Sequence, residues 1–204
     1  MKILVTGSAG FIGGYLVKEL LDAGHHVIGI DNFSKYGRIE QSFQDNPAYQ
    51  FIDGDVKDVE LLKSLIGECD NFVALAAMIG GITYFHEYAY DLFAENERIN
   101  GAAFDTAIYG YQKHKLKKIT LVSSSMVYEN TNEYPTPEGA ELRCPPPRST
   151  YGFQKLAGEY YAKGAKEQYG LPYTIVRPFN CVGIGERRAR GHAEVMSGSI
   201  KLAM

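Results

Sequence analysis

Short, continuous apolar runs recur along the chain, separated by stretches in which apolar residues return every three or four positions. Ile3-Leu4-Val5 is the first run, and Ile12, Tyr15, Leu16 and Leu20 then fall on one face of a helix expected over Phe11 to Ala23. Val27 to Ile30, Tyr49 to Ile52, Phe72 to Leu75, Ile119 to Val122 and Tyr173 to Val176 read as further strands, with helical or mixed segments between them. Runs that are apolar throughout suit strands covered on both faces. The β-α alternation therefore predicts an α/β fold, a mainly parallel, doubly wound sheet between two layers of helices.

The clearest interruption is the stretch from Glu129 to Pro147, rich in Pro, Glu, Thr and Asn, which separates a strand from a helix. Pro145-Pro146-Pro147 bars helix until about Ser149, so the next helix is expected to begin near Tyr151. Glu194 to Met204 still reads as helical and carries no stop signal, which gives the expectation that the sequence is a piece of a longer protein. There is no internal repeat.

Composition narrows the function classes. A chain of 204 residues that is 45% hydrophobic can bury one substantial core, and a formal charge of −3 offers polyanions no general attraction, so nucleic acid is a poor partner. Cys69, Cys144 and Cys181 are far apart and form no C-x-x-C pair, which indicates neither a disulfide framework nor a thiolate metal site and fits a reducing cytoplasm. With neither a signal-peptide pattern nor a membrane-length apolar run, the protein is expected to be soluble, without a membrane partner.

Candidate chemistry begins directly after the first strand. Gly7-Ser8-Ala9-Gly10-Phe11-Ile12-Gly13 links that strand to the first helix, the context a dinucleotide site requires. Glycine permits the tight turn and the close backbone approach, and the helix N-terminus presents free N–H groups to a pyrophosphate. Asp31 ends the second strand 18 residues after Gly13, near the offset at which a carboxylate accepts hydrogen bonds from the adenosine ribose, with Asn32 and Ser34 beside it. Its charge would repel a 2′-phosphate, which favours NAD over NADP. Lys35 and Arg38 follow closely, and a plain strand-end turn is the other reading of Asp31-Asn32.

Tyr-x-x-x-Lys places a phenol and an ammonium on one helix face, where the cation stabilises phenolate. The spacing occurs at Tyr109 with Lys113, Tyr111 with Lys115 and Tyr151 with Lys155. Only Tyr151 opens a helix after a rigid turn and follows a serine cluster, Ser123-Ser124-Ser125, at a strand end where open α/β sheets bind ligands. The third pair is therefore preferred, and the other two read as helix surface.

Together these segments resemble the extended short-chain dehydrogenase/reductase family, in its NAD-dependent nucleotide-sugar epimerase/dehydratase branch. The resemblance runs over essentially the whole chain. It rests on T-G-S-A-G-F-I-G at Thr6 to Gly13, G-D-V at Gly54 to Val56, L-A-A at Leu75 to Ala77, S-S-S-M-V-Y at Ser123 to Tyr128, Y-G-F-Q-K at Tyr151 to Lys155 and R-P-F-N at Arg177 to Asn180.

The resemblance implies a Rossmann-type NAD-binding domain over residues 1–177 and the start of a substrate-binding region over 178–204. It implies that Gly7, Gly10, Phe11 and Ile12 meet the cofactor phosphates and that Asp55 and Val56 bracket the adenine. Leu75, Ala76 and Ala77 would line the cleft, with Val122, Ser123 and Pro178 near the nicotinamide, and Asn96 would be the family's helix asparagine, Asn100 being the competing candidate. Ser124, Tyr151 and Lys155 would be catalytic, with Tyr151 and Lys155 also touching NAD. Ser124, Ser125, Met126 and Asn180 would face a nucleotide sugar.

His86 and the basic stretch Arg187, Arg188, Arg190 and His192 read as surface at least as readily as ligand contacts. The resemblance further implies a cytoplasmic homodimer and a C4 epimerisation. A nucleotide-sugar dehydratase, decarboxylase or reductase and a non-catalytic NAD-binding protein are the alternatives.

Overall fold

The structure is a computed structural model, which describes residues 1–80 and 82–185. Six parallel strands form one sheet in the order β3-β2-β1-β4-β5-β6: β1 Lys2–Thr6, β2 His26–Asp31, β3 Tyr49–Asp53, β4 Asn71–Ala74, β5 Lys118–Val122 and β6 Tyr173–Val176. Every expected strand is present, with no end displaced by more than one residue. Register runs in step from Ile3 opposite Val27 on one side to Ile3 opposite Asn71 on the other. The order reverses beside β1, so the ends of β1 and β4 part and leave a crevice at the carboxyl edge of the sheet, where ligands of such sheets bind.

Helices cover both faces. α1, Phe11–Asp22, packs with Ile3, Val5, Val17, Leu21, Val27 and Phe43 on one side. On the other side α2 Val59–Ile66, α4 Ala89–Lys113 and α5 Thr150–Tyr169 bury Leu4, Ile30, Leu62, Phe72, Phe104, Ile119 and Leu171, with the short α3 at Ile82–Glu87. Neighbouring residues of β1 thus face opposite cores, as the two-residue period of a strand requires. Among the described residues, no helix is long and apolar enough to cross a membrane.

Helix starts differ in a telling way. Asp58 caps α2 by accepting from the Leu61 amide at 3.0 Å, and Ser149 caps α5 by accepting from Gly152 at 3.1 Å. α1 begins at Gly10 with no side-chain cap and no acidic residue in its first turn. α4, entered at Tyr88, lacks a side-chain cap as well, but it is α1 whose bare N-terminus follows directly on the glycine turn at the carboxyl edge of β1.

Candidate active site

The phosphate turn is shaped by the absence of side chains. Gly7 has φ of +72°, and a Cβ there would lie 3.0 Å from Ala76, so turn and β4 end are in direct backbone contact. At Gly13 a Cβ would stand 2.0 Å from the Gly7 carbonyl oxygen, which only glycine avoids. Thr6, which the motif reading left without a role, locks the other wall: its hydroxyl accepts from the amides of Leu75 at 3.1 Å and Ala76 at 3.2 Å. The uncapped N-terminus of α1 and this close-packed turn form a cradle that fits a dinucleotide pyrophosphate, with Gly10, Phe11 and Ile12 at its lip.

Asp31 stands at the end of β2, half-buried. Its carboxylate accepts from the Phe33 amide at 2.8 Å and the Ala9 amide at 3.1 Å, so it holds both the phosphate turn and its own strand end. Both readings of Asp31 are thus compatible in one residue. Asn32 and Ser34 are exposed, and Asn32 accepts from the Ser34 amide at 3.1 Å, shaping the turn. Arg38 pairs with Asp53. Asp55 pairs with Lys57 at 3.4 Å, Lys57 also meets Glu95 of α4, and Val56 is buried beside them.

One residue further along α4, Asn96 accepts from the Met78 amide and donates to the Met78 carbonyl, both at 2.8 Å. This pins the segment after β4 that carries Leu75, Ala76 and Ala77. Asn100 instead lies between helices, 3.0 Å from where a Cβ of Gly158 would be. His86 is exposed on α3, while Arg187, Arg188, Arg190 and His192 fall outside the described residues.

At the end of β5 the serines separate. Ser123 turns its hydroxyl away from the crevice, donating to the buried Glu159 at 2.7 Å. Ser124 caps the 3-10 turn Ser125–Tyr128, its oxygen accepting from Met126 at 3.2 Å, and its hydroxyl also hydrogen-bonds the Tyr151 phenol. Ser125 donates to the Pro178 carbonyl at 3.0 Å, which sets Pro178 beside the serine turn. Ser125 and Met126 are half-buried, and Asn180 is exposed two residues beyond Pro178.

Tyr151 and Lys155 lie one turn apart on α5. Tyr151 is only 6% exposed, and burial pushes its pKa up, partly offset by the Ser124 hydrogen bond. Burial of the phenol thus works against the lowering expected from Lys155, and the net direction is upward. The ammonium stands 5.9 Å from the phenol ring centre and donates to the Val122 carbonyl at 3.1 Å. Burial pushes Lys155 itself down from 10.5 to about 8. The other Tyr/Lys pairs are elsewhere, with Tyr109 stacked edge-on to His114 and under Lys63.

A family model, the NAD dependent epimerase/dehydratase family, matches residues 3–203. A UDP-glucose 4-epimerase of Mycolicibacterium smegmatis is 32% identical over 187 residues, covering 90% of this chain and 57% of that protein. The crystal structure of UDP-glucuronic acid 4-epimerase from Bacillus cereus with UDP-glucuronic acid and NAD is 31% identical at a TM-score of 0.76, covering 95% of this chain and 60% of that one. A UDP-N-acetylglucosamine 4-epimerase from Methanobrevibacter ruminantium, in complex with UDP-N-acetylmuramic acid, is 29% identical with a TM-score of 0.82 over 95% and 59%. The chain thus spans somewhat under two thirds of each of these relatives.

Proposed function

The chain belongs to the NAD-dependent epimerase/dehydratase family, and from that premise we propose that it is the NAD-binding part of a cytoplasmic enzyme that interconverts C4 epimers of a UDP-sugar. NAD is the cofactor of this family, and bound NAD supplies the acceptor and then the donor of the C4 hydrogen. Tyr151, as phenolate, takes the proton from the C4 hydroxyl. Ser124, hydrogen-bonded to that phenol, holds the same oxygen, and Lys155 supplies the positive charge behind them. Oxidation gives a 4-keto sugar, and return of the hydrogen to its opposite face gives the epimer.

The observation that carries this reading is the pairing of Ser124 with Tyr151 next to a turn that offers no carboxylate. Elimination of water from a 4-keto sugar needs an acid and a base near C5 and C6, and the two positions after Ser124 are Ser125 and Met126. Met126 instead presents an apolar, adaptable surface against which a keto-sugar can rotate. The 4-epimerase relatives support uridine as the nucleotide. Residues 1–177 serve as the cofactor domain and 178–204 open the substrate-binding region. Helices α4 and α5, which expose Tyr90, Phe153 and Tyr160, form the homodimer contact.

The test is to incubate full-length protein with UDP-glucose, UDP-N-acetylglucosamine or UDP-glucuronic acid and resolve products by chromatography while following absorbance of NADH. Conversion of one of them to its C4 epimer without net NADH is expected. A 4-keto-6-deoxy product, carbon dioxide release or stoichiometric reductant consumption contradicts the proposal.

A further inference from the structure

Beneath the serine turn lies a buried polar assembly that none of the steps above uses. Glu159, with 0% of its surface exposed, accepts from Ser123 Oγ at 2.7 Å and from Arg177 through both prongs, Nε at 2.8 Å and Nη2 at 2.7 Å. The same guanidinium donates to the Tyr128 hydroxyl at 2.5 Å and to Glu141 at 2.7 Å. One side chain thus joins α5, the end of β6, the 3-10 turn and the loop beyond it.

Such an assembly is a poor device for stability alone, since burying ions costs several kcal/mol of desolvation and an apolar filling is often as stable. What it supplies is geometry, because a forked guanidinium fixes direction as well as distance. Its placement says which geometry. Ser123 is held through Glu159 and Tyr128 directly by Arg177, so the turn is fastened at both ends, and the residues between are Ser124 to Val127. The next backbone contact, Ser125 to the Pro178 carbonyl, belongs to the residue that follows Arg177.

We infer that Arg177, together with Glu159, is a positioning residue that holds the Ser124 hydroxyl on the Tyr151 phenol. The inference rests on the proposed roles of Ser124 and Tyr151. Neither Arg177 nor Glu159 meets the reacting atoms. They act through the turn, and loss of their grip lets Ser124 drift from the phenol without disturbing the phosphate cradle on β1.

The experiment uses full-length, NAD-loaded protein carrying Arg177→Lys or Tyr128→Phe, each alone and combined with Ser124→Ala. Arg177→Lys keeps the charge but loses the fork, and is expected to lower kcat for UDP-glucose about a hundredfold, with Tyr128→Phe lowering it about fivefold. KM and bound NAD are expected to stay within about twofold of the parent. In the Ser124→Ala background neither change should lower kcat further, because the hydroxyl they position is gone.

A second readout needs no sugar. The Tyr151 phenol is titrated by absorbance as the difference from Tyr151→Phe, and its midpoint should rise in both variants to that of Ser124→Ala. A midpoint that does not move, or kcat losses equally large with and without Ser124, overturns the inference. If wild-type protein turns over no UDP-sugar, the functional proposal fails and the titration decides the positioning role by itself. Tyr128→Phe leaves the Arg177–Glu159 pair intact and decides the matter if Arg177→Lys does not fold.

Discussion

The two halves of the crevice are built on opposite plans. On the β1–α1 side the cradle is made by leaving things out: glycines at 7, 10 and 13, no side-chain cap and no acidic residue in the first turn. On the β5–α5 side the site is made by putting things in, with Tyr151 against Ser124 and a buried Glu159–Arg177 pair underneath. The difference teaches how each half should fail. A cradle of backbone groups is damaged by any added atom, whereas a constellation of side chains is damaged by removing one.

The largest effect is expected where one atom carries the chemistry. Tyr151→Phe should reduce kcat of the full-length enzyme by about a thousandfold or more, with NAD affinity and melting temperature nearly unchanged, as measured by steady-state kinetics and calorimetry. Retained activity would end the assignment. On the other side Gly13→Ala should work in the reverse sense: one added carbon, 2.0 Å from the Gly7 oxygen, should weaken NAD about a hundredfold and cost about 1–3 kcal/mol of stability. Normal NAD binding by this variant would show that the turn has room to spare.

Asp31→Ala should be milder, since it removes a carboxylate that also ties the Phe33 and Ala9 amides. About a tenfold to hundredfold loss of NAD affinity is expected by titration, with discrimination against NADP reduced. An unchanged NAD affinity would leave Asp31 as a turn residue only. Smaller again is a pH effect. Because burial holds Lys155 at about 8, its cation is lost as pH rises through that value, so activity should fall on the basic side. Lys155→Arg cannot lose its charge in this range, and its residual activity should lack that basic limb. The smallest effects belong to Tyr109→Phe and Tyr111→Phe, expected within about twofold of the parent in kcat.

The same contrast explains what could be read in the sequence. The strands, the glycine turn before α1 and the place of Asp31 at a strand end were legible because their signals are local: an apolar run, a glycine spacing, a carboxylate closing a strand. The nearness of Tyr151 to the serine cluster was also legible, since Pro145 to Pro147 and that cluster mark its setting, and the phenol does meet Ser124. Thr6, Glu159 and Arg177 were not assigned roles, because their partners are distant in sequence. Thr6 meets residues 69 and 70 positions away, and Ser123 and Glu159 are 36 apart. A helical-spacing argument could have found Glu159, four residues after Lys155 on the same face of α5. The net upward direction of the Tyr151 pKa was not legible for a related reason, as spacing gives adjacency on a helix but not the burial of the phenol.

The central claim is that one carbon is oxidised and reduced again within one crevice, and deuterium tracing tests it most directly. UDP-glucose labelled with deuterium at C4 is incubated with full-length enzyme and the product sugar is analysed by NMR. The account predicts UDP-galactose with the deuterium still on C4 and inverted configuration, without wash-out to solvent or accumulated NADH. Deuterium lost to water, or found at C6 of a dehydrated product, would contradict it.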